Sequence, residues 1–309
     1  EDVVLKANVH LVGVGSENIL PAGTPVRDVV IRTATIGHTF FATAAADTVL
    51  LKNVQLENTA ANTFDVISHA AASTTFGGTL ILDNSHVLQQ NVAAVGNAIV
   101  LGNGSASTSL YLMNSTVRDL SGEGAAHFAV EIDGTAGTLS LSESQITASL
   151  SSVLSVNPSA AATTYLANLD NTHLQAESAG GVGIQTLAST TEIARSFIEV
   201  VTAAGAVRVV GGPKAGEANL SIHHSRIDGN IYFDTAACAG NTLLRLGSTT
   251  YDAVVLPTAN PTVSDFDVQG KTIEYVPALV DPWRANAGLN DVPVLQRITG
   301  ATCVQDAVD

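Results

Sequence analysis

The chain has 309 residues, 46% of them hydrophobic and only 13% charged, and its 13 Lys plus Arg face 28 Asp plus Glu for a net charge of −15. Phosphate recognition needs clustered cations, so this balance excludes a nucleic-acid partner and disfavours an anionic membrane surface. No apolar run approaches the roughly 20 residues of a spanning helix, and membrane insertion is not expected. Glu1 is not followed by a basic segment and an apolar stretch, so the sequence reads as already processed or as exported by another route.

From the N-terminus onward, an aliphatic residue recurs in one register at Leu11, Ile31, Leu51, Leu82, Leu112, Leu141, Leu169, Ile193 and Ile222. Steps of roughly 20 to 30 residues mark a repeat protein with one structural turn per copy. The clearest copies occupy 49–56, 80–87, 110–117, 139–146, 167–174 and 220–227. Each opens apolar-x-apolar, the period of a strand, then turns a polar corner. An aliphatic residue re-enters the core after the corner, at Leu56, Val87, Val117, Ile146, Leu174, Ile198 and Ile227. A further apolar run follows at 64–67, 98–101, 129–132, 152–156, 182–184 and 206–210. Each copy thus predicts three short strands, and helical periodicity is nearly absent. A propeller blade needs about 40 residues, so the repeat selects an all-β solenoid of about nine or ten coils. At the sheet spacing such a rod is on the order of 45 Å long, and its ends need caps.

The corner carries the sharpest pattern. Two residues past the aligned aliphatic stand Thr33, Asn53, Asn84, Asn114, Glu143, Asn171, Arg195 and His224, followed by Ala34, Val54, Ser85, Ser115, Ser144, Thr172, Ser196 and Ser225. Asn tolerates the left-handed conformation of a tight corner, and its amide can bond to the next coil. Asn53, Asn84, Asn114 and Asn171 are therefore read as a structural corner stack. This stack, with small hydroxyl residues beside it, resembles the asparagine ladder of right-handed parallel β-helix proteins, the pectin-lyase-like superfamily, over about residues 3 to 235. Within it, the Ala/Ser/Thr/Val-rich texture is most similar to bacterial surface passenger domains and β-helical virion or tail-fibre proteins. The resemblance implies an extracellular, cell-surface or virion location.

Residues 240–309 read differently from the solenoid assigned to 1–239. Pro257, Pro261, Pro277, Pro282 and Pro293 and the only Trp, Trp283, lie there, and no further copy of the repeat is visible. The segment is read as a C-terminal cap or extended arm with candidate strands at 249–256 and 270–276, Trp283 packing in the cap or on a neighbouring subunit. Cys238 and Cys303 are the only cysteines; they form either a disulfide stapling the arm or two buried thiols.

Candidate chemistry is sparse. The resemblance would imply Asn-Thr-Asp, Asp-Asp, Gly-His-Gly and Arg-Ile-Lys motifs for a polygalacturonase, and none occurs. A calcium-dependent lyase needs clustered Asp, yet Asp265-Phe-Asp267 lies in the tail. Asp83 and Asp170 lie three coils apart, about 14 Å, beyond glycosidase reach. Glu131 and Asp133, two residues along one strand and about 6.6 Å apart, are the better-placed acids, with Arg118 and Asp119 near them in sequence. His223 and His224 could meet a metal only with His173 or His86, which fall on other coils, so all four read as surface histidines. Gly13-Val-Gly15-Ser16 reads as a loop, and the sequons at Asn103, Asn114 and Asn219 stand at chance level. No cofactor or metal is expected. The expected function is a non-enzymatic structural or adhesive protein that self-associates through its lateral faces or ends, with a surface glycan or protein as partner. The alternative is a polysaccharide-degrading enzyme, a tailspike-like depolymerase or glycosidase with an acidic groove; a glycan-binding module comes third, since aromatics are only 5% of the chain.

Overall fold

A computed structural model describes residues 3–13, 29–33, 38–41, 46–61, 63–69, 77–93, 96–102, 107–122, 124, 127–134, 136–158, 165–187, 189–201, 205–210, 218–233, 242–247, 249–252, 254–255, 265–268 and 294–297. Every regular element among them is a β-strand. The strands form three parallel sheets: sheet A, ten strands from Val3–Lys6 to Val254–Val255; sheet B, nine from His10–Val12 to Thr242–Gly247; and sheet C, eight from Val29–Thr33 to Arg226–Asp228. The chain visits A, B and C in turn, and each strand pairs with its equivalent one coil on: Leu51 with Leu82, Leu82 with Leu112, Leu112 with Leu141. This is an all-β parallel solenoid.

Alternation along each strand decides what faces inward. In Gly78–Asp83 and Thr108–Met113 buried residues alternate with half-buried or exposed ones, as the two-residue pleat requires. Leu80, Leu82, Leu110, Leu112 and Leu139 are fully buried, and the apolar column they start runs on through Leu169, Ile193 and Ile222. Burying each such side chain contributes on the order of 2 kcal/mol. Tyr165 is inside too, its hydroxyl donating to the Thr108 carbonyl at 2.6 Å. Gly137 makes room for that reach, because a Cβ there would lie 1.8 Å from the Thr108 oxygen and 3.1 Å from the Tyr165 ring.

Two sequence readings change. Ile31 and Thr33 belong to sheet C, where Ile31 pairs with Leu56 and Thr33 with Asn58, so Thr33 is a strand residue and not a B–C corner; Ala34 lies outside the described residues. Both sheet B and sheet C strands carry apolar-x-apolar, and aligning on a single aliphatic slipped by one strand. The residue equivalent to Asn53 is Gly13, whose N–H donates to the Lys52 carbonyl while a Cβ there would sit 2.2 Å from the Asn53 oxygen. The parallel sheets also run past residue 239. Thr242–Gly247 continues sheet B, placing Leu244 beside Leu220 and Leu246 beside Ile222, and Val254–Val255 continues sheet A. Leu-x-Leu at 244–246 is a further copy whose corner lacks the Asn signal. An antiparallel pair, Asp265–Val268 with Val294–Arg297, stands beyond it. Cys238, Cys303, Trp283 and the candidate strand at 270–276 lie outside the described residues.

The corners between sheets B and C are left-handed at Asn53, Asn84, Asn114, Glu143, Asn171, Arg195 and His224, with φ between 46° and 55°. Asn8 is the one other non-glycine residue of positive φ among the described residues. The Asn84 amide donates to Asn53 Oδ1 at 2.7 Å and the Asn114 amide to Asn84 Oδ1 at 3.2 Å; Glu143 then interrupts the series before Asn171. Behind it runs a buried hydroxyl ladder. Ser115 Oγ accepts the Ser85 N–H at 3.1 Å and lies within donor range of the Met113 and Leu82 carbonyls at 2.8 and 3.2 Å. Ser144, Ser196 and Ser225 repeat the acceptance from the N–H groups of Ser115, Thr172 and Ser196 at 3.1 to 3.2 Å.

A second polar column sits where sheet C ends. Asn58, Gln89 and Asp119 are stacked inward-facing neighbours, all 0% exposed, replaced on later coils by Ala148 and Ala176. They hold the loops leading to sheet A: Gln89 donates to the carbonyls of Phe64 and Gly96 at 3.1 and 3.0 Å, and Asp119 accepts from the Ser121 N–H at 2.8 Å and the Ser151 hydroxyl at 3.2 Å. Burial raises the Asp119 pKa, opposed by the Ser121 and Ser151 hydrogen bonds.

Ser115→Ala strands the Ser85 N–H in the interior and is expected to cost about 1 to 3 kcal/mol in denaturant unfolding. Asn114→Gly, at an exposed left-handed position, is expected to cost less than half as much; equal losses would mean that the amides hold the corner as firmly as the hydroxyls. Glu143→Asn should join the two parts of the amide column and raise stability by roughly 0.5 to 1 kcal/mol. For Asp119, a folded pKa above the unfolded one means that the ionised carboxylate is a cost at neutral pH, absent once acid protonates both states. Asp119→Asn still accepts the Ser121 N–H on Oδ1, its amide can donate to the Ser151 hydroxyl in place of accepting from it, and it should unfold at a higher temperature than the parent at pH 7, the advantage vanishing as pH falls below the usual carboxylate range. A gain that grows in acid contradicts this.

Candidate functional site

Two places on the outer surface gather side chains that could act on a ligand. The first is the face of sheet C with its adjoining corner. Its first outward row passes through Gln55, His86, Thr116, Gln145, His173, Phe197 and Arg226, one residue per coil. The His173 and Phe197 rings stack at 4.8 Å with planes 13° apart, and the Arg226 guanidinium lies 5.0 Å above the Phe197 ring centre. Direct cross-strand stacking of this kind is what an in-register parallel sheet imposes on identical row positions. Phe197 is thereby covered on both faces and presents an edge.

A groove of 930 Å³ runs along this corner, with Asn114, Glu143, Asn171, Arg195 and His224 on one wall and Thr116, Gln145, His173, Phe197 and Arg226 on the other. A second, of 420 Å³, crosses the sheet between Gln55, His86, Arg118, Thr147, Gln175 and Glu177. Three arginines of this face and its corner are paired with acids. Arg195 grips Asp170 at 2.9 and 2.5 Å, Arg226 grips Asp228 at 2.7 and 2.6 Å, and Arg32 reaches Glu57 at 2.6 Å. Hydrogen bonding to Asp170 and to Asp228 raises the pKa of Arg195 and of Arg226. His173 stands 3.6 Å from Glu199, and His86 hydrogen-bonds to Thr116. Arg118 is exposed and makes no ion pair among the described residues.

The second place is the outer face of sheet A. Glu131 and Asp133 lie there on Phe128–Gly134, both half-buried, between Val100 and Ser155 of the neighbouring coils in the Glu131 row. Burial raises the Glu131 pKa; the Asp133 charge adds to the rise and His127 opposes it. Arg118 and Asp119, adjacent in sequence, are not brought to this pair. They belong to sheet C, where the pleat turns Arg118 outward and Asp119 into the core.

The remaining candidates disperse. Asp83 takes the Lys52 ammonium at 2.5 Å, while Asp170 lies three coils on and serves Arg195. His86 and His173 share one row but Thr116 and Gln145 lie between them. His223 faces Glu192 at 3.3 Å, with the His224 ring 6.0 Å away on the corner. Among the described residues no three His, Cys, Asp or Glu side chains converge as metal ligands. The sequence reading missed the buried Asn58–Gln89–Asp119 column, whose only trace was a polar residue two places past the re-entering aliphatic. Neither a family model, a curated protein nor a solved structure matches the chain.

Phe197→Ala is expected to release His173 and Arg226 from their stack and raise the hydrogen–deuterium exchange of 173–176 and 226–228 at least twofold, with unfolding temperature nearly unchanged because the column is on the outside. Unchanged exchange would show that the column does not order this face.

Proposed function

We propose that the chain is a structural or adhesive β-helix component of an extracellular surface or a virion, and that it belongs with the right-handed parallel helices of the pectin-lyase-like superfamily. The corner supports the superfamily placement: asparagines in a left-handed turn, bonded coil to coil, with hydroxyls behind them. One observation carries the functional reading. The fold consumes only inward residues and corners, so three sheets of eight to ten strands leave long lateral faces on which acids and bases are paired locally. Regular faces of this kind suit repeated contact with a surface or another subunit. Antibody labelling of intact cells or virions should reveal the protein without permeabilisation; signal confined to permeabilised cytoplasm would overturn the reading.

A second reading has its own support in Glu131, a carboxyl whose pKa is raised by burial beside Asp133, as a general acid requires. Under the structural reading, a panel of acidic and neutral polysaccharides assayed for new reducing ends shows no turnover. Turnover abolished by Glu131→Gln would establish a depolymerase instead.

A further inference from the structure

We propose that the outer face of sheet B is where two copies of this chain meet. The inference rests on the assembly part of the reading above. The face is built by six successive strands, His10–Val12, Thr48–Lys52, Gly78–Asp83, Thr108–Met113, Gly137–Ser142 and Tyr165–Asp170. Its middle row places Leu50, Ile81 and Tyr111 side by side on consecutive coils, all pointing away from the core. Val12, Met113 and Leu166 surround them at 48%, 40% and 43% exposure. The other outward positions hold His10, Lys52, Asp83 and Asp170 among hydroxyl and amide side chains.

Charge selects the occupant. The chain carries −15, so two copies repel wherever their faces bear unmatched acid. On these six strands the ionised side chains are Lys52 and Asp83, paired at 2.5 Å, and Asp170, paired with Arg195 at the edge. On the same six coils sheet C bears Arg32 and Glu57, paired at 2.6 Å, and Arg118, which makes no ion pair among the described residues, while sheet A bears Lys6 and the two neighbouring acids Glu131 and Asp133. Sheet B thus combines locally matched charge on these six strands with a contiguous apolar row that a partner would dehydrate.

The size fits as well. Four of the six strands have six residues and are about 20 Å long, the first two are shorter, and together they span about 25 to 30 Å, a footprint of roughly 500 Å² on each copy. Two such footprints reach about 1,000 Å², the lower bound of a specific interface. Flat sheets pack face to face at about 10 Å, and a two-fold axis through the Ile81 row lets the same apolar patch serve both copies. Because the contact is apolar and the molecules repel, association should strengthen as salt screens the net charge, the reverse of an ion-paired interface.

Sedimentation velocity on the full chain, over a concentration series at low and high salt, tests the proposal. A dimer is expected, tighter at high salt. Ile81→Glu should weaken it at least tenfold, as should Met113→Glu, whose side chain is exposed enough to leave the fold unchanged; circular dichroism and the unfolding temperature check that it does. Gln145→Glu, the same charge change on sheet C, should leave it intact. A parent chain that stays monomeric at every concentration and salt overturns self-association itself. Association that survives both sheet B changes, or that fails equally in Gln145→Glu, overturns the assignment of the face while leaving assembly standing.

Discussion

Coil-to-coil registration at the B–C corner is the constraint on which everything else depends. A parallel solenoid buries its aliphatics only if each coil lands directly on the last, since a slip of one residue turns the inward row outward. The corner prevents that slip by two linked means. Its left-handed residue fixes the direction in which sheet C leaves sheet B. The buried hydroxyl behind it then reaches across to the neighbouring coil: Ser115 takes the Ser85 N–H while lying against the Leu82 and Met113 carbonyls. The outer amides add to this from the solvent side, where water competes for them. Sequence tolerance follows the same division: the left-handed position accepts Glu143, Arg195 and His224, whereas the hydroxyl position holds Ser or Thr from Ser85 to Ser225.

The interior is not uniformly apolar, and the exception is local. Where sheet C turns toward sheet A on the earlier coils, the connecting loops bring backbone carbonyls and N–H groups against the core, and Asn58, Gln89 and Asp119 satisfy them. Later coils fill the same row with Ala148 and Ala176, whose small side chains leave no polar group to pair. An ionised carboxylate among these groups retains a desolvation cost inside the core, set against two hydrogen bonds.

Outside, the same registration governs chemistry. Because identical row positions repeat at the sheet spacing, residues three coils apart cannot converge, which separates Asp83 from Asp170 and His86 from His173. Groups that do meet are neighbours on adjacent coils or two apart on one strand: the His173–Phe197–Arg226 stack, the Arg195–Asp170 pair, and Glu131 beside Asp133. A rod built this way presents continuous rows of one residue per coil and favours extended contacts over enclosed pockets.

By itself the sequence determined the strand period, three strands per copy, the parallel solenoid and the left-handed turn at Asn53, Asn84, Asn114 and Asn171, because each is a local consequence of alternation or of one residue's backbone preference; Glu143, Arg195 and His224 take the same conformation without that preference. It misplaced Ile31 and Thr33, since apolar-x-apolar is written identically for sheets B and C and only pairing tells them apart. It also lost the coil beyond residue 239, where Leu244 and Leu246 keep the core pattern without the Asn that flags a corner. Which outward residues become neighbours was decided by tertiary structure alone. Arg118 and Asp119 are adjacent in the chain and opposite in the pleat, whereas Leu50, Ile81 and Tyr111, some thirty residues apart, form one row because stacking, and not sequence distance, sets who touches whom.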